Sequence, residues 1–291
     1  MLGAMTLGWG LFWPFMQIAL AEMPILTFRA ICAEAGGAIL LLIALATGDS
    51  IRIPRNEWGG LLVIAFVNST LWLMLTATGV VLLGSGRAVL LAYTMPLWAF
   101  LFGIWLLGER PRQRQYVGLG LGLAGVAVLV APSIFGDGDL SLPGVLAMLG
   151  AAMVWAGGGT LVKRRSWAMS MPTLSGWQLV IGGLPICFAA AVLEADRIGP
   201  ISWVASLALA YNVLIGVSFG VYVWFRLVQT LPMSVASMAV LLVPVIGLTS
   251  SAWLVDAPLG WPELGSLALI VLGVSTVVPM PKLANLRRRT S

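Results

Sequence analysis

The side chains in this chain that could do chemistry are aromatic and polar residues set at helical spacing inside apolar runs. Trp9, Trp13 and Gln17 recur every four residues in the first run, Asn68, Trp72 and Thr76 in the third, and Tyr211, Ser218 and Tyr222 share a stripe of the eighth. Polar groups are costly in lipid, so these faces are expected to turn into a helix bundle or a wet cavity. The competing role is helix glue, because Asn, Ser and Thr also bridge helices. Trp9 and Tyr211 read as packing or interfacial-belt residues. The binding candidates are Trp13, Gln17, Asn68, Trp72, Thr76, Tyr93, Trp155, Ser218, Tyr222, Ser237 and Met238. Aromatic walls with a few hydrogen-bonding groups suit an amphiphilic zwitterion. A highly charged cargo would instead need several central cations to offset desolvation. Arg29 and Arg87 are placed toward the outer ends of their spans, where they can snorkel.

The remaining chemistry is sparse. The chain has no histidine, which removes histidine metal sites, histidine triads and histidine proton relays. No paired acids, metal cluster or nucleophile-base set supports an intramembrane enzyme, so no catalytic role, cofactor or metal is expected. Glu34 lies well inside a span, roughly 13 Å along the helix from Ile25 at 1.5 Å per residue. An acid at that depth is a candidate to carry a coupling proton. Cys32 and Cys187 fall in apolar runs and read as packing residues.

The elements that must position these residues follow from composition. Of 291 residues, 60% are hydrophobic and 9% charged, with a mean hydropathy of +1.00. Such a chain cannot cover its surface with polar groups, and a membrane span takes about 20 apolar residues. Ten spans are expected, near 2–20, 25–47, 58–80, 86–107, 114–132, 141–162, 173–193, 202–227, 233–254 and 260–279. The first run lacks the basic region of a signal peptide and reads as a retained helix. The net charge of +5 does not imply nucleic acid, because the Lys and Arg residues lie in short loops. With the amino terminus inside, thirteen of the sixteen fall on the cytoplasmic side, as the positive-inside rule requires. Both termini are then cytoplasmic.

The halves superimpose by an offset of 148: Met23-Pro24 falls on Met171-Pro172, Pro96 on Pro244, Trp105 on Trp253 and Gly125 on Gly273, while Trp9 meets Trp155 at 146. A five-span repeat, being odd, must insert in opposite senses, the architecture of many secondary transporters. The expected fold is an all-α polytopic membrane protein of ten transmembrane helices in two inverted five-helix repeats. These cover 1–135 and 140–281, with a basic cytoplasmic tail at 282–291. Pro96 and Pro244 are paired helix interruptions, expected to mark a gating or binding centre between the repeats. The Gly118, Gly122, Gly125 spacing permits close helix packing within one chain or between two, leaving monomer and weak dimer both open.

The stretch LGSGRAVLLAYTMPLWAFLFGIWLLGERPRQRQYVGLGLGLAGVAVLV resembles the fourth and fifth helices of the EamA-type drug/metabolite transporter superfamily. Trp9-Gly10, Phe28-Arg29 and Trp155-Ala156 followed by Lys163-Arg164 match the family pattern too. The second half departs where Asp256-Ala257-Pro258 aligns with Gly108-Glu109-Arg110. Among branches, the Trp- and Met-rich chain is most similar to bacterial aromatic amino-acid exporters. The resemblance implies a bacterial inner-membrane exporter or facilitator of amino acids, working by alternating access, with a small-molecule substrate and membrane lipid as its partners. The alternative is proton-coupled efflux of another small metabolite or a lipophilic cation.

Overall fold

The computed structural model describes residues 2–108, 113–135, 140–223 and 233–277, with the side chains of 2, 107, 133, 134, 233–241 and 277 outside that description. Among the described residues the chain is helical throughout, without strands. The helices are α1 (Leu2–Leu20), α2 (Ile25–Ala46), α3 (Trp58–Leu83), α4 (Ser85–Ala92), α5 (Met95–Leu107), α6 (Gln113–Phe135), α7 (Leu142–Arg164), α8 (Met171–Leu193), α9 (Trp203–Val223), α10 (Met233–Leu254) and α11 (Trp261–Val277). Among the described residues, seven helical stretches are long and apolar enough to cross a membrane. They are apolar on all sides, as helices bathed in lipid or buried in a bundle are. Ser141, Ser170 and Ser202 cap α7, α8 and α9, accepting from Gly144, Thr173 and Ala205 backbone N–H groups. Between α3 and α4 the chain turns on Gly84 alone, at φ 77°, which a side chain would resist.

Two features depart from the expected spans. The span expected over 86–107 is broken at Tyr93-Thr94, and Pro96 sits in the first turn of α5. It starts a helix and does not kink one. A proline cannot continue the turn begun by α4, because it lacks the N–H and its ring meets the carbonyl four residues back. Thr94 closes the end of α4, its N–H and Oγ1 both donating to Leu91 O at 3.2 and 2.6 Å. Pro244, by contrast, lies inside the continuous α10, so the aligned prolines do different work. The second departure is a widened π turn in each of two helices, Phe66–Leu71 in α3 and Asn212–Phe219 in α9. Shifted by 148, residues 66–71 become 214–219, inside the second π segment.

Packing follows small residues. α2 lies along α8 and α6 along α11; α1 packs on α9 and α10, α7 on α3 and α5, and α4 on α10. At the α6–α11 contact a Cβ on Gly273 would stand 2.6 Å from Gly118 O. The glycine run of α6 therefore joins two helices of the same chain. Polar links tie the helix ends. Where α1 ends, Glu194 accepts from the Leu26 and Thr27 N–H groups at 3.1 and 2.7 Å, Glu22 from Ser202 N at 2.7 Å, and Arg87 meets Glu263 at 3.0 Å. At the opposite end Ala168 N donates to Glu57 at 2.7 Å and Trp177 Nε1 to Ile51 O at 2.8 Å.

Candidate functional site

The most unusual group in the bundle is Arg29. It is 0% exposed, where an outer, snorkelling position was expected. Its face of α2 carries Ala33, Gly36, Leu40 and Ala44, all buried, and that stripe of small and apolar residues directs the guanidinium inward. Nη2 donates to Thr76 Oγ1 on α3 at 2.7 Å and contacts Met16 Sδ on α1 at 2.8 Å. The Phe28 ring centroid lies 5.4 Å away. Thr76 is itself tied to Trp72 O at 2.7 Å. Nε and Nη1 find no partner among the described residues.

Around this cation the expected aromatic residues fall into place unevenly. Trp13, buried, shares an apolar cluster with Met16, Phe28 and Tyr93, and Trp72 packs against it. Trp72 meets Trp155 of α7 with ring centroids 4.7 Å apart and planes inclined by 44°. One turn along, Asn68 fills the space above Gly158 of α7 and donates to Gln178 Oε1 of α8 at 3.3 Å. The structure thus sets Met16 and Thr76 on Arg29, places Trp13 and Tyr93 in the apolar cluster of Met16 with Trp72 packed against it, and pairs Trp72 with the exposed Trp155.

Other candidates serve the scaffold. Gln17 Oε1 accepts from Ser85 N at 2.6 Å and caps α4, rather than lining a cavity. Ser218 Oγ donates to Val213 O of its own helix at 2.8 Å, across the π turn. Trp9 Nε1 donates to Gly216 O in the same π segment at 3.1 Å, and Tyr211 Oη to Gly8 O at 3.1 Å. These two clasp α1 to α9, in line with the packing role expected of them. Tyr222 is half-buried near the end of α9. Ser237 and Met238 lie on α10 with side chains outside the described residues. Glu34 is half-buried against α8, where the Cys187 thiol donates to it at 3.6 Å. That contact belongs to the α2–α8 seam and not to the aromatic cluster. A surface depression of about 330 Å³ at the Glu57 end, lined by Gly60, Leu161, Arg165 and Trp167 among others, contains none of the expected residues. Among the described residues no group of His, Cys, Asp and Glu could hold a metal ion.

Arg29, Met16 and Gln178 are the residues that sequence reasoning missed. For Arg29 the buried stripe at 29, 33, 36, 40 and 44 shows only in the structure, since α2 is apolar on its other faces too. Met16 and Gln178 carried no mark either.

Seven apolar helical stretches of membrane-spanning length around a buried cation define the class, a polytopic membrane protein. The chain belongs to the EamA-like transporter family, part of the drug/metabolite transporter superfamily, and its residues 1–131 and 142–278 both match that family. It is 30% identical over 279 residues to the uncharacterized transporter YvbV of Bacillus subtilis strain 168, covering 95% of this chain and 90% of that one. It is 27% identical over 229 residues to the aromatic amino acid exporter YddG of Ancylobacter novellus, covering 74% and 75%. A solved crystal structure with 23% identity superimposes at a TM-score of 0.68, over 99% of this chain and 98% of the other; that likeness speaks for the fold.

Proposed function

We propose that the chain exports amino acids, aromatic ones among them, by alternating access between two inverted five-helix repeats. In this reading α4 and α5 form one broken span, giving ten. It sits in the bacterial inner membrane with both termini cytoplasmic, as a monomer or weak dimer, and needs no cofactor. The packing supports the repeat: exchanging the first five spans for the last five maps α2–α8 and α6–α11 onto themselves. The same exchange turns the contacts of α1 with α10 and α9 into those of α7 with α5 and α3. The matching π segments, and the two separate stretches that match the family, agree with it. Irregular helix turns at corresponding places in the two halves are where transporters of this architecture gather their sites.

The observation that carries the cargo class is the Trp72–Trp155 pair. It joins the two repeats beside a buried polar group, which gives a ring-bearing zwitterion both a wall and an anchor. A buried Arg29 argues against a lipophilic cation, which it would repel. Proton-coupled efflux of another metabolite stays as the second reading on the strength of Glu34, half-buried within α2. The deciding experiment is counterflow of a labelled amino-acid panel in proteoliposomes, with and without an imposed pH gradient. Flux of aromatic amino acids independent of the gradient is expected. No flux of any amino acid would overturn the cargo class, and a gradient-driven flux abolished by Glu34→Gln would establish coupling.

A further inference from the structure

A guanidinium keeps its charge at any physiological pH. Buried at 0% exposure, Arg29 has lost its water, and one hydroxyl and one thioether do not replace it. Nothing described supplies the missing negative charge. Glu34, five residues along α2, is engaged at the α8 seam with Cys187, and Glu263 is paired with Arg87 at the helix ends. Among the described residues the hydrogens on Nε and Nη1 remain as donors without acceptors. A buried charge left in this state is a site awaiting its partner, and ionisable groups inside a membrane bundle mark the path of a carried molecule.

We propose that Arg29 is an anion-binding site that holds a carboxylate of the carried molecule, with Thr76 and Met16 fixing the guanidinium through Nη2 and Nε and Nη1 donating to the carboxylate. A single negative charge matches a single cation. A phosphate dianion would call for more, and the neighbouring groups are neutral. The apolar side of the ligand meets Trp13 and Phe28, which share the cluster around Met16, and Trp72, whose backbone carbonyl is tied to Thr76. The proposal deepens the amino-acid reading and rests on it for the identity of the cargo; the anion site itself rests on the buried guanidinium.

The test has a binding arm and a transport arm, both on the full chain. In detergent, benzoate is expected to raise the melting temperature of the wild type, and benzamide, of the same shape without the charge, is not. Arg29→Met is expected to abolish the benzoate shift. In proteoliposomes, wild-type counterflow of phenylalanine is expected to exceed that of phenylalaninamide at least about tenfold, as loss of a charge-assisted hydrogen bond implies. Arg29→Met is expected to erase that preference, and Arg29→Lys to keep part of it. Equal effects of benzoate and benzamide on the wild type, or a benzoate shift that survives Arg29→Met, overturn the proposal. Should neither Arg29 variant reach the membrane, Thr76→Val, which unseats Nη2, takes their place, and an unchanged benzoate shift there overturns it equally. An Arg29-dependent benzoate shift without amino-acid flux retires the amino-acid reading and keeps the site. Amino-acid flux indifferent to Arg29 and to the amide does the reverse.

Discussion

At the scale of single residues, the side chains divide by what their polar atoms already do. Trp72 and Trp155 offer ring faces with no structural bond at stake, whereas Trp9 holds a π-turn carbonyl. Trp72→Ala is therefore expected to cut aromatic amino-acid flux about tenfold or more, with Trp155→Ala similar and the double variant less than additive. An aromatic pair couples by about 0.5–1.5 kcal/mol, and fully additive losses in a double-mutant cycle would show that the two rings act apart. Trp9→Phe is expected to leave flux near wild type and to lower stability by about 1 kcal/mol, the worth of one hydrogen bond; thermal unfolding in detergent reads the difference. Tyr222→Ala belongs with Trp72→Ala in the transport assay if α9 lines the path, and wild-type flux there would remove it.

At the scale of elements, the helices are held by close approach and by caps. At Gly273 backbone atoms of α6 already stand where a side chain would go. Gly273→Val is expected to separate α6 from α11 at a cost of about 1–3 kcal/mol, the usual range for overpacking, seen as a lower melting temperature and lower yield. Glu22, in the turn between α1 and α2, is held below the usual carboxylate range by the Ser202 hydroxyl and the Ser202 N–H. A depressed carboxylate contributes stability above its unfolded value and loses it as the pH falls through the folded one. The wild type is thus expected to lose stability relative to Glu22→Gln as the medium is acidified. Melting curves that stay parallel across the acid range would contradict this. The break at Tyr93-Thr94 was signalled by Pro96, whereas the two π turns were not legible beforehand. Helix type within a uniformly apolar run depends on which carbonyls find side-chain partners across the bundle, such as Gly216 O with Trp9.

At the scale of the whole molecule, the end of the bundle where α1 finishes is sealed by links between the proposed repeats. Ser85 Oγ donates to Ser251 Oγ at 2.8 Å, and Arg87 pairs with Glu263. If alternating access works by parting the halves there, these contacts must break in each cycle. A disulfide between Ser85→Cys and Ser251→Cys, whose hydroxyls already meet at 2.8 Å, is expected to stop transport and a reductant to restore it. Undiminished flux in the oxidised protein would place the moving seam elsewhere.

That the chain is all helical, with stretches apolar and long enough to cross a membrane, could be read from the sequence, because hydropathy is a local property that lipid sorts one segment at a time. Trp72 and Trp155 were each legible as candidates, but their pairing across α3 and α7 was not, because it depends on how the two helices pack. What tertiary structure alone decided is which face of each helix looks inward. Helices that are apolar all round carry no stripe to say so, and only the neighbour packed on each face determines it. Gln17 and Ser218 were thereby turned into scaffold, and Pro96 became the start of a helix. Arg29, expected to reach for the interface, lies instead in the core against Met16 of α1 and Thr76 of α3.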